Sequence, residues 1–363
     1  MANVYAWLSG GSAGSTNPVY KTTDGSTWSS FRGDDGSNTG ISYFWIDEFN
    51  TFQTAVEGTG ASPWFYYTTN NGGTWTSFGS VPPVANFVGI LPDGTLLGFG
   101  GSSGAQAVTR STNGGSSWSS ASTLPSQSSS MSLSPTFIRT SNGDLFVFGI
   151  DTSAGTTQVW SSSNSGSTWS RVFSDANRSH AATCNLSYQK TSTNDVLLLV
   201  VSGNSFTLSP GIFMWRSTDF GSTWSNVFSD TAQHGSQNAP SLMVGDPNNP
   251  GICSDGSWLV MGCYANDSFN DTTGLGWRST NDGSTWSSDN SSVVPYTATA
   301  AGNNPNLGAW GDTVSVTWGI SRGNSITNAV YRSTNGGSTW SHYTTSPFNT
   351  STYSIQRLWS DSF

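Results

Sequence analysis

Seven copies of one short turn motif run along the chain, and each ends in Trp. They occupy residues 22–28 (TTDGSTW), 68–75 (TTNNGGTW), 111–118 (STNGGSSW), 162–169 (SSNSGSTW), 217–224 (STDFGSTW), 279–286 (STNDGSTW) and 333–340 (STNGGSTW). Six follow the eight-residue pattern S/T-x-D/N-x-G-x-S/T-W, and the first is one residue shorter. The first and last of these Trp residues lie 312 residues apart over six intervals, a mean spacing of 52, so seven units account for all 363 residues. A period of this size made of short strands limits the chain to a repeat architecture in which each unit is one small sheet.

The motif has a direct physical reading. Its third residue (Asp24, Asn70, Asn113, Asn164, Asp219, Asn281 and Asn335) accepts hydrogen bonds from amides further round the turn. Its fifth-position Gly allows positive φ. The flanking Ser and Thr hydroxyls tie the mouth of the turn. The closing residue (Trp28, Trp75, Trp118, Trp169, Trp224, Trp286 and Trp340) begins the next strand as an apolar anchor expected to be largely buried.

Between successive motifs lie three strand-like runs bounded by turn residues, as in 85–91, 95–101 and 105–112. Only two such runs, 3–10 and 18–23, precede the first motif, and the run 353–360 (YSIQRLWS) follows the last. That final run is expected to lie beside residues 3–10 as the missing inner strand, which removes two open edges.

The motif resembles the Asp-box, or bacterial neuraminidase repeat. The resemblance implies a single all-β domain over 1–363, a seven-bladed β-propeller of four-stranded antiparallel blades closed by the C-terminal strand in blade 1. It also implies that the boxes share one face and that binding or catalysis uses the opposite, top face. Sialidases, xyloglucan-cleaving hydrolases, sortilin-type receptors and a photosystem assembly factor carry the box, so it implies no particular activity.

Composition narrows the partners. Charged residues make up 9% of the chain, the net charge is −9 and the pI is near 4.5, with no basic cluster. Nucleic acid is therefore not an expected partner, and no apolar run is long enough for membrane insertion. Cys184, Cys253 and Cys263 form no disulfide framework; Cys253 and Cys263 pair only if they face across a hairpin. No Cys/His spacing suits zinc, and neither a metal nor a cofactor is expected. The strand-like start at Asn3 leaves no room for a signal peptide, whereas the composition is that of an extracellular protein. Both fit an extracellular or virion-surface location.

Candidate chemistry is sparse. Lys21, Arg110, Arg216, Arg278 and Arg332 each stand just before a motif, a recurrence that reads as structural support for the turns. The R-I-P tripeptide of sialidases is absent, and the two Glu residues, Glu48 and Glu57, fall in one repeat. Hydrolysis of a glycosidic bond needs two carboxylates flanking it. The top-loop candidates include Asp175, Asp230, Asp267 and Asp271, with His180 and His234 following the first two in similar linkers (FSDANRSH and FSDTAQHG).

The expectation from these residues leans against catalysis. It is a surface interaction or structural module that binds a glycan or protein surface, as a phage tail, fibre or decoration component in contact with other virion proteins. The alternative is a glycoside hydrolase using top-face Asp carboxylates, and a second alternative is an intracellular assembly factor. Deleting residues from Tyr353 onward is expected to unfold or aggregate the protein by exposing two strand edges, which size-exclusion chromatography and a thermal melt would read.

Overall fold

A computed structural model describes residues 4–10, 19–22, 27–32, 40–46, 53–59, 62–70, 72–77, 80, 82–83, 87–101, 105–128, 130–133, 137–151, 156–175, 181–203, 211–230, 241–243, 251–252, 257–265, 272–288, 305–310, 313–322, 325–333, 341–343 and 353–360. Every regular element among them is a β-strand.

The first sheet opens with β1 (Val4–Gly10), β2 (Val19–Thr22) and β3 (Ser29–Arg32). The second is β4 (Gly40–Ile46), β5 (Gln53–Thr59), β6 (Ser62–Thr68) and β7 (Thr76–Ser77). The third is β8 (Phe87–Ile90), β9 (Leu96–Gly100), β10 (Ala107–Ser111) and β11 (Ser122–Thr123). The fourth is β12 (Met131–Leu133), β13 (Ile138–Arg139), β14 (Leu145–Asp151), β15 (Thr157–Ser162) and β16 (Ser170–Asp175). The fifth is β17 (Ala181–Lys190), β18 (Asp195–Gly203), β19 (Gly211–Ser217) and β20 (Ser225–Asp230). The sixth is β21 (Ser241–Met243), β22 (Gly251–Ile252), β23 (Trp258–Ala265), β24 (Thr272–Ser279) and β25 (Ser287–Ser288). The seventh is β26 (Pro305–Trp310), β27 (Thr313–Arg322), β28 (Ser325–Ser333) and β29 (Ser341–Tyr343). The last strand, β30 (Tyr353–Ser360), pairs antiparallel with β1, from Val4↔Ser360 to Gly10↔Tyr353.

All pairings among the described strands are antiparallel, and in each sheet the strands stand in sequence order apart from β30. The first strand of the fourth sheet is split: β12 and β13 both pair with β14, so Met131–Leu133 belongs to the sheet although its sequence reads as loop. The sixth sheet repeats this with β21 and β22 on β23.

Five copies of the motif can be followed atom by atom, and they share one hydrogen-bond ring. In the fourth sheet the Ser162 hydroxyl donates to Asn164 Oδ1 at 3.0 Å and accepts from the Gly166 amide at 3.0 Å. Asn164 Oδ1 accepts from the Thr168 amide at 2.9 Å, while Asn164 Nδ2 donates to the Thr168 hydroxyl at 2.8 Å. Asn70, Asn113 and Asn281 repeat the pattern. Asp219 cannot donate, so its ring closes the other way: the Thr223 hydroxyl donates to Asp219 Oδ2 at 2.6 Å. Asp24 and Asn335 lie outside the described residues.

The fourth and fifth motif residues lie in left-handed backbone conformation, as in Ser165 (φ 55°) with Gly166 (φ 77°), and Asp282 (φ 55°) with Gly283 (φ 72°). The Gly is required twice over, for its φ and for space. A Cβ on Gly221 would stand 2.8 Å from the Phe146 ring of the preceding sheet.

The core lies between sheets. The second strand of each well-described sheet is apolar on both faces, so one strand serves two interfaces. In β14, Leu145 and Val147 join Phe87, Phe99 and Phe137 in one cluster, while Phe146 and Phe148 join Leu197, Leu199 and Phe213 in the next. In β18, Val196, Leu198 and Val200 then pack with Trp258 and Trp277. Phe99 stacks on Phe87 at 4.7 Å and meets Trp169 edge-on at 5.8 Å, so the motif Trp is part of the first cluster. The expectation that every motif Trp is largely buried is met by Trp169; Trp28, Trp75, Trp118, Trp224 and Trp286 are half-buried. Trp340 lies outside the described residues.

Polar links reinforce these interfaces at the end where the motifs lie. Arg110, just before the motif of the third sheet, donates from Nε to the carbonyl of Ser165 in the fourth sheet's motif at 3.1 Å. Arg216 makes the same link from the fifth sheet to Asp282 of the sixth at 2.8 Å. Arg110 and Arg216 thus each support the neighbouring sheet's turn rather than their own. At the same end the Ser141 amide donates to the Tyr188 hydroxyl, which donates to Asp195. Burial and the hydrogen bond to Asp195 push the Tyr188 hydroxyl up to about 12.

Gly221→Ala is expected to cost about 2–4 kcal/mol, combining a left-handed β-carbon with an overpacked Phe146, as measured by urea unfolding. A pH series tests the inverted ring. Burial raises the Asp219 pKa, but the bonds from Thr223 and Ser217 outweigh it and hold the carboxyl below its ordinary value. Its stabilising contribution is therefore complete above the unfolded value near ~3.9 and fades as pH falls through the folded one. Asp219→Asn should lower the melting temperature modestly at neutral pH, and the two proteins should converge in acid.

Candidate functional site

The ends of the strands opposite the motifs carry the polar groups that no turn uses. Asp151 ends β14 as its one charged residue and is only 2% exposed. Strand alternation sets its direction. Leu145, Val147 and Asp151 share the face toward the third sheet, whereas Phe146, Phe148 and Ile150 face the fifth. On β15 the same rule sends Gln158 with Trp160 toward the third sheet and Thr157 with Val159 toward the fifth.

On the third-sheet side, Gln106 bridges the interface. Its Nε2 donates to the Met131 carbonyl at 3.1 Å, and its amide donates to Gln127 Oε1 at 2.8 Å. Gln127 Nε2 returns bonds to the carbonyls of Gln106 and Leu124, each at 3.0 Å. Gln158 Oε1, on the same side of the sheet, is buried with no hydrogen-bond partner among the described residues. A buried acceptor left in that state costs about 1–3 kcal/mol, so a donor from water or a ligand suits this position.

On the fifth-sheet side, Asp175 ends β16 opposite Thr157 and on the same face as Phe173. The Thr157 hydroxyl is likewise buried without a hydrogen-bond partner among the described residues. Asp151 and Asp175 therefore flank the fourth sheet on opposite faces, two strand spacings or roughly 10 Å apart. Asp230 holds the matching place in the fifth sheet, ending β20 opposite Ile212. The structure thus puts Asp175 and Asp230 at equivalent outer-strand ends. His180, His234, Asp267 and Asp271 lie outside the described residues, as does Cys253. Cys184 is free and packs against the cluster between the fourth and fifth sheets, where burial pushes its thiol pKa up.

Asp151 was open to detection from sequence. In the run LFVFGID a carboxylate occupies an alternation position whose other members are apolar. No group of three or more His, Cys, Asp or Glu is arranged to hold a metal ion among the described residues.

A family model described as the DUF6242 beta propeller domain matches residues 62–252. The chain belongs to the DUF6242 beta propeller family. No curated protein matches it. Among solved structures, this propeller is similar to a polysaccharide lyase, PL25 ulvan lyase, with a TM-score of 0.55, 10% identity and 84% of each chain covered. That enzyme is also known bound to -[GlcA(1-4)Rha3S]-, and this structure matches the propeller equally well. The GH74 xyloglucanase of Xanthomonas campestris is similar at a TM-score of 0.48 and 18% identity, over 83% of this chain and 45% of that one.

The likeness to the lyase corrects the functional expectation. A non-enzymatic interaction or virion module is not what it favours; the lyase that matches along most of its length is a glycan-active enzyme. The inference against catalysis rested on residue types missing from the sequence. In a repeat fold, site residues come from strand ends far apart in sequence, so a missing local motif says little.

Proposed function

We propose that this propeller is a glycan-active enzyme working outside the cell, and that it cleaves a neutral polysaccharide at the strand ends opposite the turn motifs. The observation that carries the reading is the similarity to a polysaccharide lyase over 84% of both chains. We also read the seven turns as Asp-boxes and the seven sheets as seven blades of a closed ring. That closure is supported by β30 lying beside β1.

Charge argues for a neutral substrate and for hydrolysis. Eliminative cleavage acts on a uronate, whose carboxylate must be neutralised by cations. This chain has 12 Lys and Arg against 21 Asp and Glu, and Arg110 and Arg216 already serve as links between sheets. A negative protein of this kind repels a polyanion. Hydrolysis instead asks for a carboxylic acid that protonates the leaving oxygen and a carboxylate that activates water or attacks the sugar. Asp151, Asp175 and Asp230 are acidic groups at the last residues of described strands at this end, and Glu57 lies two residues short of the end of β5.

The test is a panel of neutral and uronate-containing polysaccharides, assayed for new reducing ends and for the ultraviolet absorbance of an unsaturated sugar. Reducing ends from a neutral polymer without that absorbance are expected. Replacing the acid or base by Asn should lower kcat by about 10²–10⁴-fold with little change in melting temperature. Cleavage of no polymer, or undiminished turnover in all three of Asp151→Asn, Asp175→Asn and Asp230→Asn, would overturn the assignment.

A further inference from the structure

Trp118 departs from the arrangement shared by three other motif tryptophans. In Trp169, Trp224 and Trp286 the indole N–H folds back onto the carbonyl of the motif's own Gly, at 3.2, 3.0 and 3.0 Å. In the third sheet that carbonyl, on Gly115, is taken by the hydroxyl of Ser80. The Trp118 indole donates instead to the backbone carbonyl of Ser80, at 3.3 Å. One serine thus displaces the ring from its usual partner and holds it in a second position.

A groove of about 420 Å³ lies where the ring has turned, between the outer part of the third sheet and the motif of the fourth. Trp118, Arg110, Thr112, Ser119, Ser122 and Ser167 line it. Its volume falls in the range of small-molecule sites. A half-exposed indole gives a flat apolar wall. The hydroxyls of Thr112, Ser122 and Ser167 both donate and accept. Arg110 is fixed by its bonds to the Ser165 carbonyl and the Thr95 hydroxyl, so it lines the groove as a rigid wall. An aromatic plane edged by neutral hydroxyls matches a pyranose or furanose, which has an apolar C–H face and a hydroxyl rim.

We propose that this groove is a secondary binding subsite for a neutral sugar, stacked on Trp118 and separate from the strand-end site. It sits at the motif end of the third and fourth sheets, so it would hold a polymer strand against the protein without touching the bond being cleaved. The ligand class rests on the glycan-active reading, but occupancy is measured without turnover.

The experiment uses Ser122→Trp, which fills the groove from an exposed position, and Ser167→Tyr, which fills it from the facing wall. Cello-, xylo- and arabino-oligosaccharides are titrated by calorimetry into the full chain and into each variant. Circular dichroism and thermal melts verify folding. At least one oligosaccharide is expected to bind wild type, with affinity reduced tenfold or more in both variants and unchanged in Asp175→Asn. Cleavage of a short oligosaccharide by the groove variants should stay at the wild-type rate. Equal binding by wild type and both folded variants overturns the subsite and leaves the catalytic reading intact. Absence of binding by every oligosaccharide also overturns it, and the polysaccharide cleavage assay then decides the catalytic reading separately.

Discussion

Much of the structure depends on a pair of left-handed residues in each turn. Positive φ at the fourth and fifth motif positions reverses the chain in the fewest residues and rotates the intervening carbonyls outward. Without that rotation Ser165 and Asp282 would direct their carbonyls into their own turns. With it they become acceptors for Arg110 and Arg216 of the preceding sheets. The ring of Ser, Asn and Thr bonds holds this otherwise unfavourable backbone in place, and the Gly removes the steric penalty. Local turn chemistry thereby becomes tertiary structure.

That explains why so much of the fold was legible. The repeat, the bonding within the turns, the strand order around each motif and the apolar runs in β9, β14 and β18 all follow from residue types at fixed spacing. Local pattern says nothing about where a side chain goes once it leaves its own sheet. Arg110 and Arg216 recur visibly in sequence, yet their acceptors lie 55 and 66 residues further on. The split first strands were missed for a related reason. Met131–Leu133 lies in a Ser-rich stretch whose composition reads as loop, and it becomes strand because β14 extends far enough to pair with it.

The candidate site was less legible than the fold. Asp175 and Asp230 stood out through matching linkers, and the structure gives them equivalent ends of β16 and β20. Asp151 was visible as a carboxylate closing an apolar strand, but its near-complete burial shows only in the structure. Chemistry was harder still to read. The two ends of the sheets have different duties: one is committed to hydrogen bonds that repeat from sheet to sheet, and the other collects polar groups that differ from sheet to sheet. Only the second is free to acquire a reaction, and its irregularity is what hides it from a search for motifs.

The guanidinium links run in one sense, from the third sheet to the fourth and from the fifth to the sixth. In both cases a sheet leans through its arginine on the turn that follows it. The molecule therefore has a mechanical polarity that its near-identical repeats conceal. Pulling from the C-terminal side strips the acceptors from Arg110 and Arg216 while both are still seated in their sheets, leaving half-buried cations without those partners. Pulling from the N-terminal side withdraws each arginine together with its own sheet and leaves behind only a carbonyl that water can satisfy. The two directions of unravelling are energetically unequal.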